Sequence, residues 1–210
     1  MVKLDAELAA MEQNLLKMAQ RVIAMHEKVV AALKQPSKEI ELDIVQADDV
    51  INHLEEEIND QAIRSLALLS PVASDLRKVI ADIKIASELE RIGDYAKNIA
   101  IFLSKNESLD ATIRSYGIAM EEQLMEMLKD TITAYEQRDV DMAFEIAERD
   151  KAIKELYYKL KSKLKEQEDL LQHIFEISAM MRNMERAGDH TKNICEHIIY
   201  MMKGQHYDFG

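Results

Sequence analysis

The chain has 210 residues and a formal net charge of −12 at neutral pH, with 39 acidic against 27 basic side chains. That balance excludes the basic footprint of a nucleic-acid binder and unaided docking on anionic lipid. Five Gly, two Pro and no Trp leave few turns, so the composition is that of a helical protein long enough to bury a real core.

The opening "MVKLDAELAAMEQN" has no apolar signal-peptide region. No apolar run approaches the ~18–20 residues needed to span a bilayer. A soluble, cytoplasmic protein without direct membrane insertion is the expectation. A first helix is predicted from Lys3 to Lys34, stopped by Pro36 in "KQPSKE". A second runs from Ser37 to Leu69. In "LSPVASDL", Ser70 suits an N-cap and Pro71 the first helical position, starting a third helix that continues to Ser104. The polar "SKNESLDA" (104–111) reads as a linker. Three more helices are predicted over 110–137, 139–165 and 168–203, with breaks at "EQRDVD" and "KEQEDL" and closure at Gly204.

The chain repeats itself. "LERIGDYAKNI" (89–99) and "MERAGDHTKNI" (184–194) share Glu, Arg, Gly, Asp, Lys, Asn and Ile. "ADDVINHLEEEI" (47–58) likewise matches "RDKAIKELYYKL" (149–160), with Asp48 on Asp150 and Ile51 on Ile153. This period is too long for a solenoid. It predicts an all-α, six-helix protein made of two similar antiparallel three-helix bundles, residues 1–106 and 107–210.

Projected at about 100° per residue from Ile83, residues Leu76, Val79, Ile80 and Ile101 form an apolar stripe, and Glu90 and Asp94 lie within about 20° of its centre. Glu185 and Asp189 share the direction of Ser178, Leu171, Ile174 and Phe175. The opposite face is also apolar: Ile85, Leu89, Ile92, Ala96, Ile99 and Leu103 on the third helix. A helix apolar on two faces is buried between layers, which makes the third and sixth helices central. Gly93 and Gly188 would permit close approach.

Carboxylates four residues apart on a helix repel each other, and partial burial costs several kcal/mol per ion. Three offsets are available. Arg or Lys from neighbouring helices could pair with the acids, the adjacent Arg91 and Arg186 pointing about 100° away. The acids could share a proton. They could bind a hard cation such as Mg²⁺, Mn²⁺ or iron through oxygen. In that reading Asp48 or Asp150 joins each Glu-x-x-x-Asp pair. Glu55 lies two turns after Asp48, whereas the second copy has Tyr157 there, so the two sites need not be equal.

Other constellations are missing. No His is preceded three positions earlier by Glu, against a ferritin-type centre. No His-Glu-x-x-His, P-loop or dinucleotide fingerprint occurs, and no Ser, Cys or His set suggests a nucleophile with its base. No catalytic residue is assigned. His190 reads as a helix residue beside the site. Cys195, the single cysteine, reads as a small buried apolar residue. "KLKSKLK" reads as a solvated helix face, and the Met residues as core filling.

"ASDLRKVIADIKIASELERIGDYAKNIA" (73–100) and "MERAGDHTKNICEHIIYMMKGQ" (184–205) resemble the PhoU family of bacterial phosphate-signalling proteins, and the resemblance covers essentially the whole chain. It implies six helices in two bundles. It also implies metal clusters held by Glu90/Asp94 and Glu185/Asp189, with Asp48 and Asp150 as additional ligands and iron, manganese, magnesium or zinc as the metal. Family members act in the cytoplasm beside the high-affinity phosphate ABC transporter, linked to its ATPase subunit and to a membrane phosphate-sensing histidine kinase. They damp phosphate uptake and the starvation response, and homodimers are common. The sequence departs from the pattern where "EDLLQHIF" replaces "PVASDLRKVI", and where Tyr95 and His190 differ. The expected function is a non-enzymatic, metal-binding regulator. The alternatives are a carboxylate–metal hydrolase and a structural adaptor with salt-bridged acids.

Overall fold

The computed structural model describes residues 2–165 and 174–210. The helices are α1 (Val2–Lys34), α2 (Lys38–Leu69), α3 (Ala73–Lys105), α4 (Ala111–Gln137), α5 (Val140–Ala147), α6 (Asp150–Leu164) and α7 (Ile174–Lys203). No strand occurs among the described residues. This is the expected six-helix, all-α protein with its fifth helix in two pieces.

Each helix follows from apolar side chains at a spacing of three or four. In α1, Met11, Leu15, Met18, Val22, Met25, Val29 and Leu33 are all buried, a continuous stripe facing the core. Side-chain caps set several starts. Ser37 accepts the Ile40 N–H at 3.4 Å, Asp110 accepts from Thr112 and Ile113, and Asp139 accepts from Met142 at 2.9 Å. Each satisfies a main-chain donor the helix cannot.

The turn before α3 differs from the sequence reading. Ser70 ends α2 in the left-handed region (φ 47°) instead of capping α3, and α3 starts at Ala73, itself at φ 49°. Pro71 is buried between these two positions; the chain turns sharply on either side of it before the helix can begin. The predicted fifth helix is interrupted at Glu148–Arg149. There the main chain stays near helical dihedrals, but its bonds shorten to three-residue spans, Arg149 N–H to Ile146 and Ala152 N–H to Arg149. Neither Gly nor Pro marks the break, which is why the sequence pattern ran through it. The predicted start of the sixth helix at 168, "KEQEDL" beyond 165 and most of "EDLLQHIF" lie outside the described residues.

Helices α1, α2 and α3 pack on one another, as do α4, α6 and α7, with α5 on α4 and α7. The two groups join through α3 on α7, the most extensive helix pairing, and α1 on α4. The third and sixth helices are therefore central, as expected. On α3 the more deeply buried face is the one opposite the acid-bearing stripe: Ile85, Leu89, Ile92, Ala96 and Ile99 are fully buried, whereas of the stripe only Val79 is, Leu76 being exposed and Ile80, Ile83 and Ile101 half-buried. Both faces of α3 are apolar, so the projection could not rank them. The denser set goes to the core, and Glu90 and Asp94 lie on the half-buried flank.

The glycines serve other contacts than the α3/α7 pairing. A Cβ on Gly93 would meet Ile51 of α2 at an ordinary 3.5 Å, whereas one on Gly188 would meet Asp150 and Ile153 of α6 at 3.0 Å. Close approach is thus needed at Gly188 only. Cys195 is buried, and burial pushes its thiol up to about 12, so it behaves as an apolar residue. Leu160 and Leu164 are buried while Lys159, Lys161 and Lys163 face outward, so "KLKSKLK" is a solvated face with two core contacts. Buried Met11, Met18, Met25, Met120, Met127, Met180, Met181 and Met184 fill the core.

Candidate functional site

The first acidic set lies between α2 and α3. Asp48 is almost fully buried. Lys97 from α3 donates to Asp48 Oδ2 and to Asp94 Oδ1, each at 2.7 Å. Asn52 donates to Asp48 and Asn98 to Asp94, each at 3.2 Å. Glu90 is half-buried one turn before Asp94. Burial raises its pKa; Arg91 opposes this, and the charges of Glu55, Asp94 and Asp48 reinforce it. Arg91 reaches Glu90 at 3.4 Å after all, but is 58% exposed, so that pair contributes little. Glu55 thus contributes as a nearby negative charge.

The second set repeats the plan between α6 and α7 with its cation moved. Lys154 donates to Asp150 Oδ2 at 2.6 Å and to Asp189 Oδ1 at 2.8 Å. It stands where the first copy has Asn52. Lys192, the counterpart of Lys97, lies 3.8 and 4.0 Å from the same two oxygens and donates to the Gly210 carbonyl. Burial raises the pKa of Glu185, which the Asp189 charge reinforces and Lys154 opposes. Burial alone would lower the pKa of Lys154, but its bonds to Asp150 and Asp189 raise it.

Each set thus gathers the predicted acids, and each contains a lysine bridge that the sequence reading missed. Lys97 was legible, being part of the repeated phrase three residues after Asp94. Lys154 lies one turn after Asp150. The bridges join the aspartates; Glu90 and Glu185 receive no lysine or arginine from another helix among the described residues.

An all-oxygen donor set suits a hard cation. One carboxylate oxygen in each set, Asp48 Oδ1 and Asp150 Oδ1, is buried without a hydrogen-bond partner, a costly state that a cation would relieve. As the side chains stand, no three His, Cys, Asp or Glu residues converge on one point among the described residues, and the lysine ammonium groups stand between the aspartates. The donors fit a metal in type, and binding requires the lysines to yield.

A second polar cluster occupies the α3/α7 seam. Glu88 accepts from His190 Nδ1 and from Asn193, with His197 Nε2 at 3.5 Å from its other oxygen. The Tyr95 hydroxyl and His190 Nε2 share a hydrogen bond at 3.1 Å. Burial alone would raise the Glu88 pKa, but the hydrogen bonds from His190, His197 and Asn193 hold it down at about 2. His190 is therefore committed to the seam. A cavity of about 490 Å³ lies at the pole formed by α1, α3 and α7, lined by Glu12, Arg77, Lys78, Arg138 and Met201 among others and by none of the predicted acids.

No described helix is long and apolar enough to cross a membrane. The model of the PhoU domain matches residues 15–103 and 118–198. The chain is 33% identical to the phosphate-specific transport system accessory protein PhoU homolog of Aquifex aeolicus, covering 97% of this chain and 95% of that one. The PhoU homolog of Clostridium acetobutylicum is 29% identical, over 98% and 97%. Among solved structures, the crystal structure of PhoU from Pseudomonas aeruginosa superposes with a TM-score of 0.89 at 29% identity, over 96% of this chain and 99% of that one. With two matched domain copies and similarity along its whole length, the chain belongs to the PhoU family.

Proposed function

We propose that this chain is a metal-binding, non-enzymatic regulator that restrains phosphate uptake by a high-affinity phosphate ABC transporter and the associated starvation signalling. The supporting observation for the metal is the pair of acidic sets, each with a buried, unpartnered aspartate oxygen. Support for the phosphate role comes from relatives named as accessory proteins of phosphate-specific transport systems. The candidate ligands are Asp48, Glu55, Glu90 and Asp94 in one set and Asp150, Glu185 and Asp189 in the other. Iron, manganese, magnesium or zinc would supply positive charge that locks two helices together. The chain's own lysines do that work when no metal is bound. The partners are the transporter's ATPase subunit and a phosphate-sensing histidine kinase, met in the cytoplasm at the inner face of the membrane, with the chain as a homodimer.

Elemental analysis of protein loaded with Mn²⁺ tests the metal. Wild type should retain it, and a variant carrying Glu90→Gln, Asp94→Asn, Glu185→Gln and Asp189→Asn should not; near-zero metal in both overturns this part. Deletion of the gene should release starvation genes and raise phosphate uptake in high phosphate. Unchanged expression together with unchanged uptake overturns the regulatory part.

A further inference from the structure

We infer that the two acidic sets are not equivalent: the first takes a divalent cation, and the second is closed to one by an internal cation, Lys154. This rests on the metal-binding reading above and adds which set is used and what decides it.

Three features separate the sets. The first is charge. Four carboxylates, Asp48, Glu55, Glu90 and Asp94, lie on the first side with one lysine, Lys97, which bridges Asp48 and Asp94; Arg91 touches only Glu90 and from solvent. On the second side, three carboxylates, Asp150, Glu185 and Asp189, face Lys154 and Lys192. Tyr157 stands where Glu55 does, and Lys154 where Asn52 does. A cation entering the second set therefore meets one more lysine and one fewer acid.

The second is helix position. Asp48 lies inside the 32-residue α2, where the main chain is internally bonded. Asp150 is the first residue of α6, the end at which a helix dipole favours a carboxylate.

The third is the unpartnered oxygen. Asp150 Oδ1 is pressed against α7, within 3.0 Å of where a Gly188 Cβ would stand. The atoms nearest the corresponding point at Gly93 belong to Ile51 and Val22, not to Asp48. Asp48 Oδ1 is buried, unpartnered and clear of that backbone contact.

The lysine bridge itself differs in what remains if it moves. When Lys97 swings out of the first set, no second lysine is within reach of Asp48 and Asp94 among the described ion pairs. When Lys154 leaves the second, Lys192 is already 3.8 Å from Asp150 and can replace it.

Equilibrium dialysis against Mn²⁺ with elemental analysis tests this, with circular dichroism confirming that each variant is folded. Glu90→Gln/Asp94→Asn should lower bound Mn²⁺ at least tenfold, while Glu185→Gln/Asp189→Asn should leave it at the wild-type level. Lys154→Asn/Tyr157→Glu, which writes the first set's residues into the second, should raise it about twofold. That gain should disappear when Glu185→Gln/Asp189→Asn is added. Equal losses in the two acid variants would overturn the asymmetry while leaving metal binding intact. No gain from Lys154→Asn/Tyr157→Glu would overturn the role of Lys154. Wild type without Mn²⁺ would overturn the metal reading, and this inference with it.

Discussion

Tyr95 and His190 hold the same position in the two copies of the repeated phrase, and they touch. The Tyr95 hydroxyl lies 3.1 Å from His190 Nε2, with the rings 5.4 Å apart. Equivalent positions of the duplicated phrase thus meet at the α3/α7 seam. His190 links Tyr95 through Nε2 to Glu88 through Nδ1, and the bonds form one chain. Tyr95→Phe removes one link and should destabilise the fold by about 1 kcal/mol. Glu88→Ala strips the acceptor from His190 and Asn193 together and should cost about 2–3 kcal/mol. Urea unfolding checks both; a Glu88→Ala loss no larger than that of Tyr95→Phe would mean that the seam is held by its apolar contacts alone.

A second link between the two halves is the fully buried pair His26 and Glu121. His26 Nδ1–H donates to Glu121 at 2.8 Å and Nε2–H donates to the Ile92 carbonyl at 3.0 Å. Burial works against the charged imidazole, but the Glu121 charge and hydrogen bond and the Ile92 carbonyl raise its pKa above 6.5. A raised pKa places the stabilisation below the unfolded value and removes it as pH rises through the folded one. Unfolding free energy should therefore fall on going from pH 6 towards alkaline pH. His26→Gln should flatten that slope, and an unchanged slope would show that His26 carries no charge in the fold.

The two motif glycines should respond differently to alanine. At Gly93 the added methyl finds ordinary contact with Ile51 and Val22. Gly93→Ala should therefore stabilise by about 0.5–1 kcal/mol through helix propensity. At Gly188 the same methyl meets Asp150 Oδ1 and Ile153 at 3.0 Å. Gly188→Ala should lose stability despite the same propensity gain, because Asp150 is tied to Lys154 and cannot retreat freely. Thermal melts of the two variants decide this, and equal stabilisation would refute the close contact.

Removing the bridge in the first set should expose the cost of Asp48. Without Lys97 the buried carboxylate keeps only the Asn52 hydrogen bond. Lys97→Met in the presence of a chelator should cost about 2–3 kcal/mol, below the range for a fully buried pair because the lysine is a quarter exposed. Adding Asp48→Asn to it should restore more than half of that loss. A double variant as unstable as the single one would assign the loss to packing by the lysine stem.

The sequence carried the helices and the repeat because both are patterns of apolar spacing, and the duplicated phrase marked the acids directly. Three things escaped it. The turn at Ser70–Ala73 depends on the burial of Pro71, which no local rule reports. The interruption at Arg149 is a change of hydrogen-bond span with no Gly or Pro to announce it. The depth of Glu90 and Asp94 depended on which of two apolar faces of α3 the neighbours cover, a tertiary question. Lys154 escaped for a related reason: its role comes from reaching Asp189 on another helix, and lysine one turn from aspartate reads as an ordinary surface pair.

The contact between Tyr95 and His190 gives the seam the character of a subunit interface written into one polypeptide. The two sides of the seam are held together by the tether at 106–110, so their local concentration does not depend on how much protein is present. They need not be identical, and they differ at Tyr95 and His190. Cutting the tether should return the seam to bimolecular terms: the separated halves should recombine into the native fold, with an apparent stability that now rises with their concentration.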